Sequence, residues 1–138
     1  MAPNFNTFLP EGFSTISSYI FVSNPELEIE FLKKAFAAEE LNRTTNKKTG
    51  EIGNCILKVG NACLMISQAR GDFKNMRTSF YLFVENVDEV YQNALDHGAT
   101  DCFAPEEMSY EDYQGGIIDP SGNYWWISKR MVEKNYQD

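Results

Sequence analysis

The chain has 138 residues, 43% hydrophobic and 23% charged, a balance that fits one soluble globular domain with a sizeable core. Its net charge of −8 argues against nucleic acid, whose phosphates need Lys and Arg. No apolar run approaches the ~20 residues of a membrane span. No basic segment followed by an apolar one opens the chain, and Cys55, Cys63 and Cys102 each sit in an apolar run without metal-like spacing. We therefore expect a cytoplasmic protein whose cysteines are small, reduced core residues.

Residues 1–13 are polar and aromatic, punctuated by Pro10 and Gly12, and read as an arm. Thr15 to Val22 predicts a strand from its β-branched and aromatic residues. Asn24-Pro25-Glu26 then supplies a helix cap, a first-turn proline and an acid near the positive end of the helix dipole. Leu27, Ile29, Phe31, Leu32 and Phe36 carry the apolar face of that helix. Glu39 to Thr44 predicts a strand and residues 46–50 a turn. Strands over 51–59 and 62–68 then flank a Gly60-Asn61 hairpin. A polar loop covers 69–77.

The order then repeats. A strand over 79–85 leads into Asn86-Val-Asp-Glu89, close to a capping box. Val87, Val90, Tyr91, Ala94 and Leu95 form the buried face of the second helix, and Gly98 stops it. Thr100 to Phe103, Tyr110 to Ile118 and Asn123 to Ser128 predict three strands, with Asp119-Pro-Ser-Gly-Asn123 as the turn before the last. Lys129 to Asp138 predicts a short amphipathic tail helix.

Two landmarks show that this repetition is internal. Ser79-Phe-Tyr-Leu-Phe-Val-Glu-Asn86 matches Ser17-Ser-Tyr-Ile-Phe-Val-Ser-Asn24 at five of eight positions, 62 residues apart, and Gly122-Asn123 follows Gly60-Asn61 at the same offset. Self-similarity of this kind marks a tandem of related units. We expect an α+β fold of two tandem βαβββ modules, about 14–68 and 79–129, with a tail over 130–138, forming a single domain. The strands would build a curved, cup-like mixed sheet with the helices outside.

Alternation along a strand separates its side chains into two faces. Ile20 and Val22, like Leu82 and Val84, suit a helix. Ser17, Tyr19 and Phe21, with Ser79, Tyr81 and Phe83, point the other way and would line a shared interior. Trp126 falls on the matching face of the last strand, with Leu64 as its counterpart at the same offset. Convergent rings and hydroxyls of this kind form pockets for planar or apolar ligands. The candidate ligand-binding residues are therefore Tyr19, Phe21, Tyr81, Phe83 and Trp126, with Tyr110 and Tyr113 on the rim and Gln68 providing a directional hydrogen bond. The acids Glu106, Glu107, Glu111 and Asp112 read as a solvated loop, and the single histidine, His97, as a contact to a helix C-terminus.

A tandem βαβββ pattern with strands ending Val-x-Asn, Phe31-Leu-Lys-Lys-Ala-Phe36, Glu85-Asn-Val-Asp88, Gly98-Ala99 and Asp119-Pro-Ser-Gly-Asn123 resembles the vicinal oxygen chelate superfamily over residues 14–129. That group includes glyoxalase I, ring-cleaving dioxygenases, and bleomycin- and fosfomycin-resistance proteins. The resemblance implies two modules around a cup and a homodimer. It also implies metal ligands at four places, which Ser17, Ser79, Leu64 and Trp126 occupy here. None of these can replace His or Glu on zinc, nickel or iron. The expected function is thus metal-independent small-molecule binding of the bleomycin-resistance type, sequestering an aromatic or cationic compound. No catalytic residue, metal or cofactor is assigned. The alternative is a glyoxalase-like lyase or isomerase with a divalent metal in an atypical site. A third reading is a protein–protein module whose cup has closed.

Overall fold

A computed structural model describes residues 1–137. Eight strands and two helices run in the order β1 (Ser18–Val22), α1 (Pro25–Phe36), β2 (Glu39–Thr45), β3 (Ile52–Val59), β4 (Ala62–Gln68), β5 (Ser79–Phe83), α2 (Val87–Asp96), β6 (Thr100–Glu107), β7 (Asp112–Ile118) and β8 (Tyr124–Arg130). They form two four-stranded mixed sheets of the same pattern, ordered β1-β4-β3-β2 and β5-β8-β7-β6. In each sheet the first strand of a module pairs parallel with the last, and the remaining pairs are antiparallel. This is the α+β duplication that the repeat predicts. The tail differs from expectation: residues 131–137 form bends and turns after β8, with no helix, and Asp138 lies outside the described residues.

The chain divides into two compact units, Met1–Pro25 with Ala37–Met76, and Glu26–Phe36 with Arg77–Asp138. The first helix therefore belongs with the second sheet although the first repeat encodes it. Its Phe36 ring packs 4.8 Å from Trp125. Asn93 on α2 donates Nδ2 to the carbonyls of Lys34 and Ala35 at 2.9 and 3.2 Å, satisfying helix-end acceptors that lack internal donors.

In the first unit the core is aliphatic. Ile20, Val22, Leu57, Leu64 and Ile66 are all buried, and Cys55 and Cys63 sit among them. Cys102 departs from expectation: it is exposed on β6, where neighbouring Asp101 is exposed too. The arm is anchored at Gly12, whose carbonyl accepts from Cys63 N at 2.7 Å. Gly12 has φ +84°, and an added Cβ would collide with the Cys63 sulfur, so two constraints require glycine there.

In the second unit the turn between β7 and β8 is a polar knot. Asp119 Oδ1 accepts from the backbone of Ser121 and Asn123 at 2.9 and 3.0 Å. Its Oδ2 accepts from Trp125 Nε1, and Asn123 Oδ1 accepts from Thr78 N at 2.8 Å, tying β5 to this turn. Glu28 of α1 is buried against this knot, and neither of its oxygens finds a hydrogen-bond donor among the described residues. Burial, then the adjacent Asp119, pushes its pKa up to about 9, so the side chain is a neutral acid at pH 7.

Two glycines shape β6. A Cβ at Gly116 would stand 2.5 Å from the Phe103 ring, and one at Gly115 would stand 2.9 Å from Pro105. The β6–β7 register slips at Phe103. Rings thus fill the space that side chains at Gly115 and Gly116 would need, and the Gly-Gly pair serves ring packing beside an irregular ladder.

Candidate functional site

Paired strands carry their like-facing residues side by side, which puts Tyr19 beside Met65 and Phe21 beside Ser67. Ile20 and Val22 turn the other way into the core, leaving Tyr19 46% exposed. The Tyr19 and Phe21 rings stack at 4.6 Å, and Phe21 stacks on Phe73 at 4.5 Å, both pairs within 16° of parallel. Phe73 comes from a single 3₁₀ turn, Gly71–Phe73, inside the loop read as plain polar. This row of rings borders a groove of about 550 Å³, with Gln68, Arg70, Glu51 and Asp72 also lining it. Arg70 pairs with Glu51. Ser67 Oγ gives its only proton to Gly53 O at 2.6 Å, so the 2.8 Å contact with Tyr19 has the phenol as donor. Gln68 lines this groove, with its Nε2 donating to Ser23 O at 2.9 Å.

The second unit carries its own recess, about 380 Å³, walled by the rings of Tyr81, Phe83, Tyr110 and Tyr136. Tyr81 and Phe83 have the same relation as their first-repeat copies, with centroids 5.2 Å apart, though tilted 46°. Behind the rings lies Asp112, fully buried. Its Oδ2 accepts from the hydroxyls of Tyr81 and Tyr136, the latter at 2.6 Å, and its Oδ1 accepts from Arg130 Nη1 at 3.1 Å. Asp112 and Arg130 face each other in the β7–β8 ladder, so register alone brings them together. Burial raises the pKa of Asp112, but the bonds from Tyr136, Tyr81 and Arg130 and the guanidinium charge outweigh it and hold the carboxyl below its ordinary value. Burial first, and then Asp112, pushes the Tyr81 phenol well above its ordinary value. Both groups therefore keep their states at neutral pH, carboxylate and phenol. Beside them, Tyr110 donates to Gln114 Oε1, and buried Gln114 donates to Ser128 Oγ at 2.6 Å.

The candidate residues thus fall into two sets, Tyr19, Phe21 and Gln68 at one recess and Tyr81, Phe83 and Tyr110 at the other. Two line neither. Tyr113 lies one step from Asp112 and Gln114, so alternation sends it to the opposite face of β7, where its hydroxyl donates to Asp88 at 2.6 Å. Glu111 is left-handed, φ 69°, and lies in the turn that precedes β7, so Tyr110 stands before the strand predicted to begin with it. Trp126 stands beside Tyr81, but its Nε1 donates to Ser79 Oγ at 2.6 Å and its ring lies 5.6 Å from Phe103. Its ladder counterpart is Met65, one residue from Leu64, since Met65 stands beside Tyr19 as Trp126 stands beside Tyr81. The acids read as a solvated loop divide as well: Glu106 and Glu107 belong to β6, and Asp112 is buried. His97 meets its expectation, with Nδ1 2.8 Å from Asn93 O at the end of α2.

Asp112, Gln114, Ser128, Arg130, Tyr136 and Phe73 are functional-site neighbours that sequence reading missed. The first four share one face by alternation and ladder register, a signal that needs the strand start at Asp112 to be known. Phe73 and Tyr136 come from irregular segments with no periodicity to read.

The four places at which the resemblance implies metal ligands hold neutral side chains. Ser17 Oγ donates to Ser14 O at 2.9 Å, Ser79 accepts from Trp126, and Leu64 is buried. Among the described residues, no group of three or more His, Cys, Asp or Glu is placed to hold a metal ion. Nor is any helix long and apolar enough to cross a membrane.

Comparison with known proteins agrees with this architecture. The chain resembles TioX from Micromonospora sp. ML1, with a TM-score of 0.68 and 17% identity over 88% of this chain and 100% of that one. A glyoxalase-related enzyme from Fulvimarina pelagi superposes at 0.68 with 13% identity over 83% and 86% of the two chains. A glyoxalase/bleomycin resistance protein/dioxygenase family enzyme from Burkholderia phytofirmans PsJN gives 0.63 with 20% identity over 83% and 96%. The fold is that of the vicinal oxygen chelate superfamily. In sequence, the chain is 28% identical over 134 residues to the uncharacterized protein Mb0911c of Mycobacterium bovis, covering 89% of this chain and 88% of that protein. It is equally similar to the uncharacterized protein Rv0887c of Mycobacterium tuberculosis, 78% of which is covered. No family model matches the chain.

Proposed function

We propose that this protein binds a small aromatic or cationic molecule without a metal and acts by sequestering it, as a homodimer. The observation that carries this reading is the Tyr19–Phe21–Phe73 ring stack, built on a strand face turned away from the core and bordering a groove of about 550 Å³. Stacked rings left partly exposed offer a platform for a planar guest. A net charge of −8 raises the encounter rate with cations. Glu51 and Asp72 at the groove supply negative charge locally, in part offset by Arg70.

Calorimetric titration with the planar cation 9-aminoacridine, with bleomycin as a cationic glycopeptide, tests the reading. Saturable binding that Phe21→Ala and Phe73→Ala weaken, and that a chelator leaves unchanged, is expected. No heat from either probe, or binding indifferent to both substitutions, overturns it. Metal that co-purifies stoichiometrically and restores lyase or isomerase turnover would establish the enzymatic alternative, and light scattering decides the dimer.

A further inference from the structure

The second recess holds one polar feature that the ring platform does not explain. Asp112 is fully buried, and two phenols, Tyr81 and Tyr136, donate to the same carboxylate oxygen. The two donors are held very differently. Tyr81 is fixed in β5 by ladder pairing to β8. Tyr136 comes from the segment after β8, which belongs to no strand or helix, and its side chain is 54% exposed. The tail is retained by the Arg130 side chain, whose Nε donates to Lys134 O at 3.0 Å and whose guanidinium lies 4.3 Å from the centre of the Tyr136 ring. Arg130 also pairs with Asp112, so it stays in place when the tail departs.

We propose that Tyr136 is the resident occupant of a phenol-binding site, and that a hydroxyaryl compound takes its place with its O–H on Asp112. The proposal rests on reading the protein as a binder of small aromatic molecules and names the chemical class for the second recess. The recess is walled by aromatic rings, and at about 380 Å³ it can take a small ligand beside or instead of the tail ring. The hydroxyls of Tyr81 and Tyr110 are already committed, to Asp112 and Gln114. The polar contact a guest can gain is therefore the one Tyr136 gives up. Discrimination follows from the cost of that exchange. A buried carboxylate that loses a donor is penalised, so a guest must bring an O–H of its own. An aryl ether of the same shape cannot.

Titration of the full chain with p-cresol and 4-methylanisole, followed by tryptophan fluorescence and calorimetry, tests this. The wild type is expected to bind p-cresol and not 4-methylanisole. Tyr136→Phe keeps the ring and removes the competing hydroxyl, so p-cresol should bind about tenfold tighter, the value of one hydrogen bond to a charged acceptor, with 4-methylanisole unchanged. Full-length protein carrying 3-fluorotyrosine should show the Tyr136 resonance shift to a solvent-exposed position with p-cresol alone. Equal affinity for the two probes, weaker p-cresol binding by Tyr136→Phe, or a Tyr136 resonance that never moves overturns the proposal. If p-cresol fails while 9-aminoacridine still binds at Phe21 and Phe73, this inference falls and the general reading stands. If neither binds, both fall.

Discussion

The indole Nε1 of Trp125 donates to Asp119 Oδ2 at 2.9 Å, with both residues buried. That bond completes a set of three N–H donors around one carboxyl group, the other two coming from its own turn. Trp125→Phe would leave an acceptor buried without its donor and remove part of the ring contact with Phe36 and Phe80. We expect a loss of about 1–3 kcal/mol, read as a lower urea midpoint with an unchanged slope. A change below a few tenths of a kcal/mol would show that the turn satisfies Asp119 unaided.

Glu28 makes stability depend on pH with an unusual sign. Its folded pKa, about 9, is raised above the unfolded value near 4.5. The folded state therefore keeps a proton that the unfolded state releases, and stability falls as pH rises from about 4.5 to about 9. Glu28→Gln retains the shape and the donor without the titration. Its unfolding free energy should lack this downward slope, so its stability relative to the wild type should rise by up to about 4 kcal/mol between pH 5.5 and pH 8.5. Urea melts at pH 5.5 and 8.5 on both proteins decide it, and parallel pH profiles would contradict it.

Gly116 has no room for a methyl group, since a Cβ there would reach to 2.5 Å from the Phe103 ring. Gly116→Ala should cost about 1–3 kcal/mol through overpacking. Combining it with Phe103→Leu, which frees space at the same spot, should recover part of that loss. Purely additive losses in thermal melts would refute the contact as the cause.

Asn86 caps α2, accepting from Glu89 N at 3.1 Å while its Nδ2 reaches Glu89 Oε2 at 3.2 Å. Asn86→Ala should cost about 1 kcal/mol, and Asn86→Asp or Asn86→Ser should restore most of it. Equal melting points for Ala and Asp would exclude the cap as the source.

Element order was readable wherever a local rule acted alone. Asn24-Pro25 and Asn86-Val-Asp-Glu89 announce both helices, and α1 runs from Pro25 to Phe36 as predicted. Alternation at Tyr19, Ile20, Phe21 and Val22 separates a ring face from a core face, as their burial shows. The failures arise where alternation sends a ring to the other face or where a partner lies far along the chain. Tyr113 alternates with Asp112 and Gln114 along β7 and so faces Asp88, away from the recess on whose rim it was expected. The partners of Asp112 come from β5, β8 and the tail, and no local pattern connects Tyr81, Arg130 and Tyr136. Nothing periodic marks Phe73 as the third ring of a stack, because it comes from an isolated 3₁₀ turn.

The placement of α1 with the second sheet changes what the duplication means for the chain as a physical object. Severing the backbone between Met76 and Arg77 would not release two autonomous halves. The amino-terminal piece would carry a helix whose apolar side, Ile29, Leu32 and Phe36, has its seat in the other piece. The carboxy-terminal piece would bare Trp125 and lose the donor of its Phe36 ring contact. Each fragment alone should be prone to stick to itself. Mixed together, they should reassemble, with α1 acting as the detachable peg that one copy of the ancestral segment lends to the other.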